Sequence, residues 1–209
     1  MHHLPAAGAS PDPGGILSPQ FVASQLAELV EDTTLEQIIP IGCAVGAMAA
    51  VALAALIPAK TAGLVLTNPG LKTTPSAREA LASRVAAVRK DGMKAISSTV
   101  IDATFEGQKK DAAYSVFSKC FSTQNTEAYA RQIEGMLYAD ISQELEKVTC
   151  PAFIVTGGRD RLLPSEIGQK IASVLEHSTY REYSNAAHFI PCQHTSIFVQ
   201  DVTDWISTL

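Results

Sequence analysis

A chain of 209 residues, 46% of them hydrophobic and 18% charged, suits one domain or one domain with an inserted subdomain, and excludes global disorder. Its formal net charge of −5, with no basic block, argues against nucleic acid or an anionic membrane as partner. Cys43, Cys120, Cys150 and Cys192 lie far apart without metal-ligand spacing and read as reduced thiols, which places the protein in the cytoplasm.

The opening residues "MHHLPAAGAS" carry neither a basic start nor an apolar signal core. Residues 5–19, rich in Pro, Gly, Ala and Ser, read as an exposed loop. A helix is predicted from Pro19 to Asp32, with Phe21, Leu26, Leu29 and Val30 as apolar positions. "LEQIIPIG" follows as a short strand, and Pro40 within it argues for an edge or a bulge. Val45 to Leu56 is a strong helix stopped by Pro58, and the apolar run Val45 to Ile57 is too short to span a bilayer. "AGLVLTNPG" reads as a buried strand with a turn after it.

From Pro75 to Lys147 no strand-like run occurs. Ser76-Ala77-Arg78-Glu79 has the capping-box pattern, and Ala77, Leu81, Val85 and Val88 follow at helical spacing until Gly92. Helical stretches are expected near 93–104, 109–121 and 124–138, with Asp140 to Gln143 able to cap one more. Strands return at 151–158 and 178–184, separated by a helix from Pro164 to Leu175. The last helix carries Ile197, Phe198, Val202, Trp205 and Ile206. The alternation predicts an α/β fold with a mostly parallel sheet flanked by helices. Residues 1–74 and 148–209 would form its core, and 75–147 an all-helical cap over a pocket.

Three loops follow strands of this sheet and should meet at its carboxyl edge, where such sheets place ligands. The first is "IGCAVGAM", a strand–turn–helix of the pattern G-x-nucleophile-x-G, with Gly42 and Gly46 at its tight positions and Ala44 at its apex. Taking Cys43 as the nucleophile would put β-branched Ile41 and Val45 at the tight positions, so a core thiol is the favoured reading of Cys43. The second loop is Gly157 to Arg161, where Asp160 either orients a histidine or serves as an ordinary turn or cap residue. The third is Asn185 to Phe189, with His188 between small residues and an aromatic.

The order apex, acid, histidine, with "GGRDRLLP" and "NAAHFIP" as its local sequences, resembles the α/β-hydrolase fold over essentially the whole chain. "HLPAAGAS" resembles the loop written D-x-P-G-x-G-x-S, with His3 in place of the acid and Ala6 in place of a glycine. Within the family, "SRVAAVRKDGMKAI" and "EAYARQIEGMLYADIS" look like the cap of 3-oxoadipate enol-lactonases and close relatives. The resemblance implies a carboxylic-ester or lactone hydrolase lineage in which a serine at 44 would attack, His188 take its proton and Asp160 hold His188.

Two departures stand out. Ala44 has no atom to attack with, which implies an inactive or impaired enzyme. Relatives also begin with further strands, one of whose loops carries an oxyanion donor worth about 10²–10³ in rate. The chain therefore reads as lacking the N-terminal strands, with an exposed sheet edge open to a homo-oligomer. The lactonase resemblance implies a small anionic ester, lactone or carboxylate ligand. Arg78, Arg84, Arg89 and Arg131 in the cap are its candidate cations. Arg131, with Cys43 and Val45 beside the apex, is the candidate substrate-binding set. No metal or organic cofactor is implied. The alternatives are a non-catalytic ligand-binding or interaction protein, and a cofactor-free enzyme using His188 and Asp160 as a general base.

Overall fold

A computed structural model describes residues 5–8 and 10–209. His3, expected in place of a loop acid, lies outside the described residues. Ser18 caps α1 (Pro19–Glu31) by accepting from the Phe21 N–H, and Pro19 supplies a first-turn residue that needs no N–H partner. The strand read from "LEQIIPIG" shortens to β1 (Ile41–Cys43), with Ile38 reduced to a single parallel bridge to Thr61. Pro40 explains the break, since it can accept from the Val65 N–H but cannot donate. Then come α2 (Val45–Leu56), β2 (Leu64–Thr67) and five helices in succession. These are α3 (Pro75–Asp91), α4 (Ser97–Thr104), α5 (Ala112–Ser122), α6 (Thr126–Met136) and α7 (Ser142–Leu145). The chain closes with β3 (Ala152–Gly157), α8 (Ser165–Val174), β4 (Ser178–Tyr183), α9 (Ile190–Gln193) and α10 (Thr195–Ile206).

The four strands form one parallel sheet in the order β1-β2-β3-β4. β2 and β3 are buried throughout, as parallel strands covered on both faces must be. Their side chains alternate between two cores. Leu64, Leu66, Ala152 and Ile154 meet Met48 and Val51 of α2 and Ile171 of α8 on one face. Val65, Phe153 and Val155 meet Phe198, Val202 and Trp205 of α10 on the other. β4 keeps charged Arg181 and Glu182 exposed, as suits an edge. This is a three-layer α/β architecture with the five-helix run inserted between two neighbouring strands.

The inserted helices have a cluster of their own, built from Val88, Met93, Ile96, Val100, Ile101, Phe121 and Tyr129. The capping box expected at Ser76 is not used. The cap of α3 is Thr74, whose Oγ1 accepts from the Ala77 N–H at 3.2 Å, because Pro75 fits the first helical position and moves the start forward. Gly92, with φ 74°, ends the helix in the left-handed region. Asp111 and Asn125 cap α5 and α6 with their side chains.

The segment before α1 runs across α6. The Leu17 N–H donates to the Arg131 carbonyl at 3.4 Å. The Arg131 guanidinium pairs with Asp12 and donates to the Gly15 carbonyl. Replacing Arg131 with Ala should lower thermal stability measurably, because its side chain is only 12% exposed and its packing is lost, although the ion pair with half-exposed Asp12 itself is worth little. It should raise the cleavage rate of residues 10–18 several-fold in limited proteolysis. An unchanged digestion pattern would show that Leu17 alone holds this segment.

Candidate active site

The first loop is a sharp elbow. β1 ends at Cys43 and α2 begins at Val45, so the whole turn falls on Ala44, with φ 53° and ψ −114°. Positive φ is unfavourable for alanine, and such strain persists only where surroundings over-determine it. Here the Ala44 N–H donates to the Thr67 carbonyl at 3.0 Å, and its own carbonyl accepts from Ala47 at 3.1 Å and Met48 at 3.3 Å. The glycines flanking the apex are not equivalent, contrary to the expectation of two tight positions. A Cβ on Gly42 would lie 2.3 Å from the Gly46 carbonyl oxygen, whereas one on Gly46 would meet nothing within 4 Å. The helix backbone at Gly46 presses on Gly42, and Gly46 itself looks onto open space.

The second loop uses one carboxylate twice. Asp160 Oδ1 accepts from the N–H groups of Leu162 at 2.8 Å and Leu163 at 3.0 Å, the ordinary duty of a turn aspartate. Its Oδ2 lies 2.8 Å from His188 Nδ1, with the Asp160 side chain fully buried. A carboxylate can only accept, so Nδ1 donates, and Nε2 is the ring nitrogen turned away from Asp160. The two roles weighed for Asp160 are thus both present, one on each oxygen.

The third loop fixes the histidine backbone from both sides. The His188 N–H donates to the Thr104 carbonyl of α4 at 3.2 Å. The His188 carbonyl accepts from Asn68 Nδ2 at 2.8 Å and from the Cys43 thiol at 3.7 Å. Gln193 spans the same ground, donating to Thr104 O at 2.7 Å and accepting from the Ala187 N–H at 3.0 Å. Phe189 packs on Phe117 of α5 with ring centroids 5.2 Å apart. Asn68, Thr104 and Gln193 were not singled out from the sequence. Nothing local marks them, since their partners, Ala187 for Gln193 apart, lie far away along the chain.

The other candidates are placed less directly. Cys43 sits just before the apex, and burial pushes its thiol up to about 11. A thiol held protonated at neutral pH is a poor nucleophile. Val45 opens α2, where first-turn N–H groups have no intrahelical acceptor. Arg131 does not stand open to meet a ligand carboxylate, because Asp12 and Gly15 engage its guanidinium. Two of the remaining cap arginines are also partnered: Arg78 with the Leu137 carbonyl and the Tyr138 ring, and Arg89 with Glu127 and Glu134. Among the described residues, no group of three His, Cys, Asp or Glu side chains gathers as a metal site.

A parallel sheet, a strained strand-to-helix elbow, and an acid and a histidine on the two strand ends beyond it define an α/β hydrolase. The chain belongs to the family described as serine aminopeptidase, S33, which matches residues 20–192. It is 23% identical over 203 residues to 2-hydroxy-6-oxononadienedioate/2-hydroxy-6-oxononatrienedioate hydrolase 2 of Pseudomonas putida, covering 88% of this chain and 68% of that protein. With 3-oxoadipate enol-lactonase 2 of Acinetobacter baylyi it shares 23% over 194 residues, 91% of this chain and 72% of that one. The solved enol-lactonase of Burkholderia xenovorans LB400 superposes with a TM-score of 0.90 at 21% identity, covering 98% of this chain and 78% of that one. The protein is an α/β hydrolase related to enol-lactonases and ester hydrolases.

Two outcomes test this geometry. Gly42→Ala should destabilise by several kcal/mol, roughly the upper end of overpacking costs, since backbone rather than a movable side chain receives the new methyl. Gly46→Ala should stay within about 1 kcal/mol of the parent. Thermal melts of the pair check both. Iodoacetamide at pH 7.5 should modify exposed Cys120 well before Cys43, and the Cys43 rate should keep rising about tenfold per pH unit up to about 11. Peptide mapping reads this, and fast neutral labelling at Cys43 would contradict it.

Proposed function

We propose that this chain is an ester- or lactone-hydrolase relative that keeps the acid–histidine pair and the elbow but does not form an acyl-enzyme, because Ala44 stands where a nucleophile would. The observation carrying this reading is the strained apex at φ 53° occupied by a side chain with no oxygen, in a fold whose Asp160 and His188 are 2.8 Å apart. The ligand class is a small ester, lactone or carboxylate. The enol-lactonase and oxo-dienedioate hydrolase names of its relatives support that choice. In this reading Val45 offers a helix N-terminal N–H to a ligand oxygen. Cys43 lines the site as an inert thiol, and Arg131 acts by holding the segment before α1.

Residues 75–147 act as the cap, and 1–74 with 148–209 as the core. The separate apolar cluster of the inserted helices and the Thr104–His188 bond support that division. The four free thiols suit a cytoplasmic, reducing setting. Among the described residues no helix is long and apolar enough to cross a membrane. A homo-oligomer along the β1 edge fits the 54% exposure of Ile41 beside an apolar groove of about 320 Å³ lined by Val22, Leu26 and Ile39. Ile41→Lys should then convert a dimer to a monomer in light scattering, and a parent that is already monomeric would refute this.

A second reading is favoured by the completeness of the pair without residue 44: His188, held by Asp160, acts as a general base on bound water or a carbon acid. The test uses a fluorophosphonate probe and an activated ester. The unmodified chain should take no label at residue 44 and show no burst, with hydrolysis no more than about 10³–10⁴ above water, the residue left when a triad nucleophile is lost. Ala44→Ser should gain a label at 44 that depends on His188. Fast turnover abolished by Cys43→Ala would make Cys43 the nucleophile and sink the proposal. Turnover that survives Cys43→Ala and dies with His188→Ala would favour the general-base reading.

A further inference from the structure

We propose that Asn68 is a positioning residue for His188, its buried side-chain amide setting the spacing between the acid loop and the histidine loop. This rests on the reading of Asp160 and His188 as the acid–base pair.

Asn68 follows the last residue of β2 and is fully buried, with φ 42°. Its neighbour Thr67 accepts the Ala44 N–H at 3.0 Å, so this strand end already holds the elbow. Asn68 reaches the other two loops. Its backbone N–H donates to Val155 at 2.9 Å. Its Oδ1 accepts from the Gly157 N–H at 2.7 Å, at the root of the acid loop. Its Nδ2 donates to the Ala187 and His188 carbonyls, each at 2.8 Å. One amide thus uses both N–H groups and its oxygen on backbone groups that the sheet ladder does not reach.

Few residue types meet these demands. Aspartate can accept from Gly157 but has no hydrogen to give two carbonyls, and leucine has neither function. Glutamine would carry its amide one methylene past groups that Asn68 already meets at 2.7 and 2.8 Å. Asparagine is also the amide residue that tolerates a left-handed backbone. The effect converges on His188. Asn68 holds its carbonyl and Thr104 holds its N–H, so only side-chain torsions remain to aim the ring at Asp160. Asn68 touches no reacting atom; it acts through the backbone of the residue that would.

The readout is the proton on His188 Nδ1, observed by NMR as a downfield resonance in slow exchange with water and assigned by its loss in His188→Ala. Asn68→Gly keeps the left-handed backbone and removes the amide. Its His188 proton should exchange about tenfold faster or more, or broaden beyond detection, while the backbone amide spectrum stays folded. Val88→Ala, a destabilising change in the separate helical cluster, should leave the resonance in place. If Asn68→Gly fails to fold, Asn68→Ser replaces it, keeping an acceptor near Gly157 but reaching neither carbonyl. An unchanged resonance in a folded Asn68 variant overturns the positioning role. Absence of the resonance from the unmodified chain overturns the acid–base pair itself, and with it the inference.

Discussion

Backbone groups beyond the carboxyl ends of the parallel strands have no ladder left to join, yet most of them are buried and must be paired. This constraint shapes the site. The ladder is extended one step past β1, β2 and β3: Ala44 donates to Thr67, Asn68 to Val155, and Gly158 to Tyr183. After that step side chains take over, with Asn68, Asp160 and Gln193 supplying what the ladder cannot. Asn68 also reaches both the acid and the histidine loops, Asp160 reaches His188 and Gln193 reaches Thr104, so the elbow, the acid loop and the histidine loop are not independent pieces. Moving one leaves a buried donor or acceptor unmet in another, at about 1–3 kcal/mol each.

The elbow shows how firmly this network is set. Alanine gains nothing from a backbone at φ 53° and ψ −114°, a conformation whose cost is of order 1–3 kcal/mol. No side-chain bond at residue 44 compensates. The turn is held instead by the Thr67 carbonyl on one side and by α2 on the other, where Ala47 and Val51 are fully buried. The conformation therefore belongs to the strand–helix packing, with Gly42 giving the helix room to approach. The shape of the apex and the chemistry carried on it are separable properties of this fold.

Local signals made most elements legible in the sequence. Proline and apolar period fixed α1, α2 and α8 to within a residue or two, and unbroken apolar runs marked β2 and β3. The errors were local competitions between signals. Ser76 has a better capping pattern than Thr74, but Pro75 decides the start of α3. The run before Gly42 reads as a short strand interrupted by Pro40, and β1 is shorter still, starting only after Pro40. Within the site, the pairing of Asp160 with His188 followed from the order of loops on strand ends. Asn68 did not, because an asparagine before a proline reads as a turn and its partners lie 89 to 120 residues away. The pairing of Arg131 with Asp12 is equally invisible in the sequence, because the two lie 119 residues apart.

The inserted helices are joined to the rest of the chain by two kinds of contact. α4 is fixed by directional bonds, since the Thr104 carbonyl accepts from both the His188 N–H and Gln193. The link after it is stitched as well: Gln108 donates to the Asn185 carbonyl, Arg159 to Gly107, and Arg161 pairs with Glu106. α6 is tied through Arg131 to the segment before α1. Between them, α5 meets the histidine loop through the Phe117 and Phe189 rings, and its cap and side-chain hydrogen bonds among the described residues stay with near neighbours in sequence. Ring contacts are weakly directional and tolerate sliding, whereas a broken backbone bond leaves an orphan. α5 is therefore held at the histidine loop by apolar packing, on the residue next to His188, where α4 is held by hydrogen bonds.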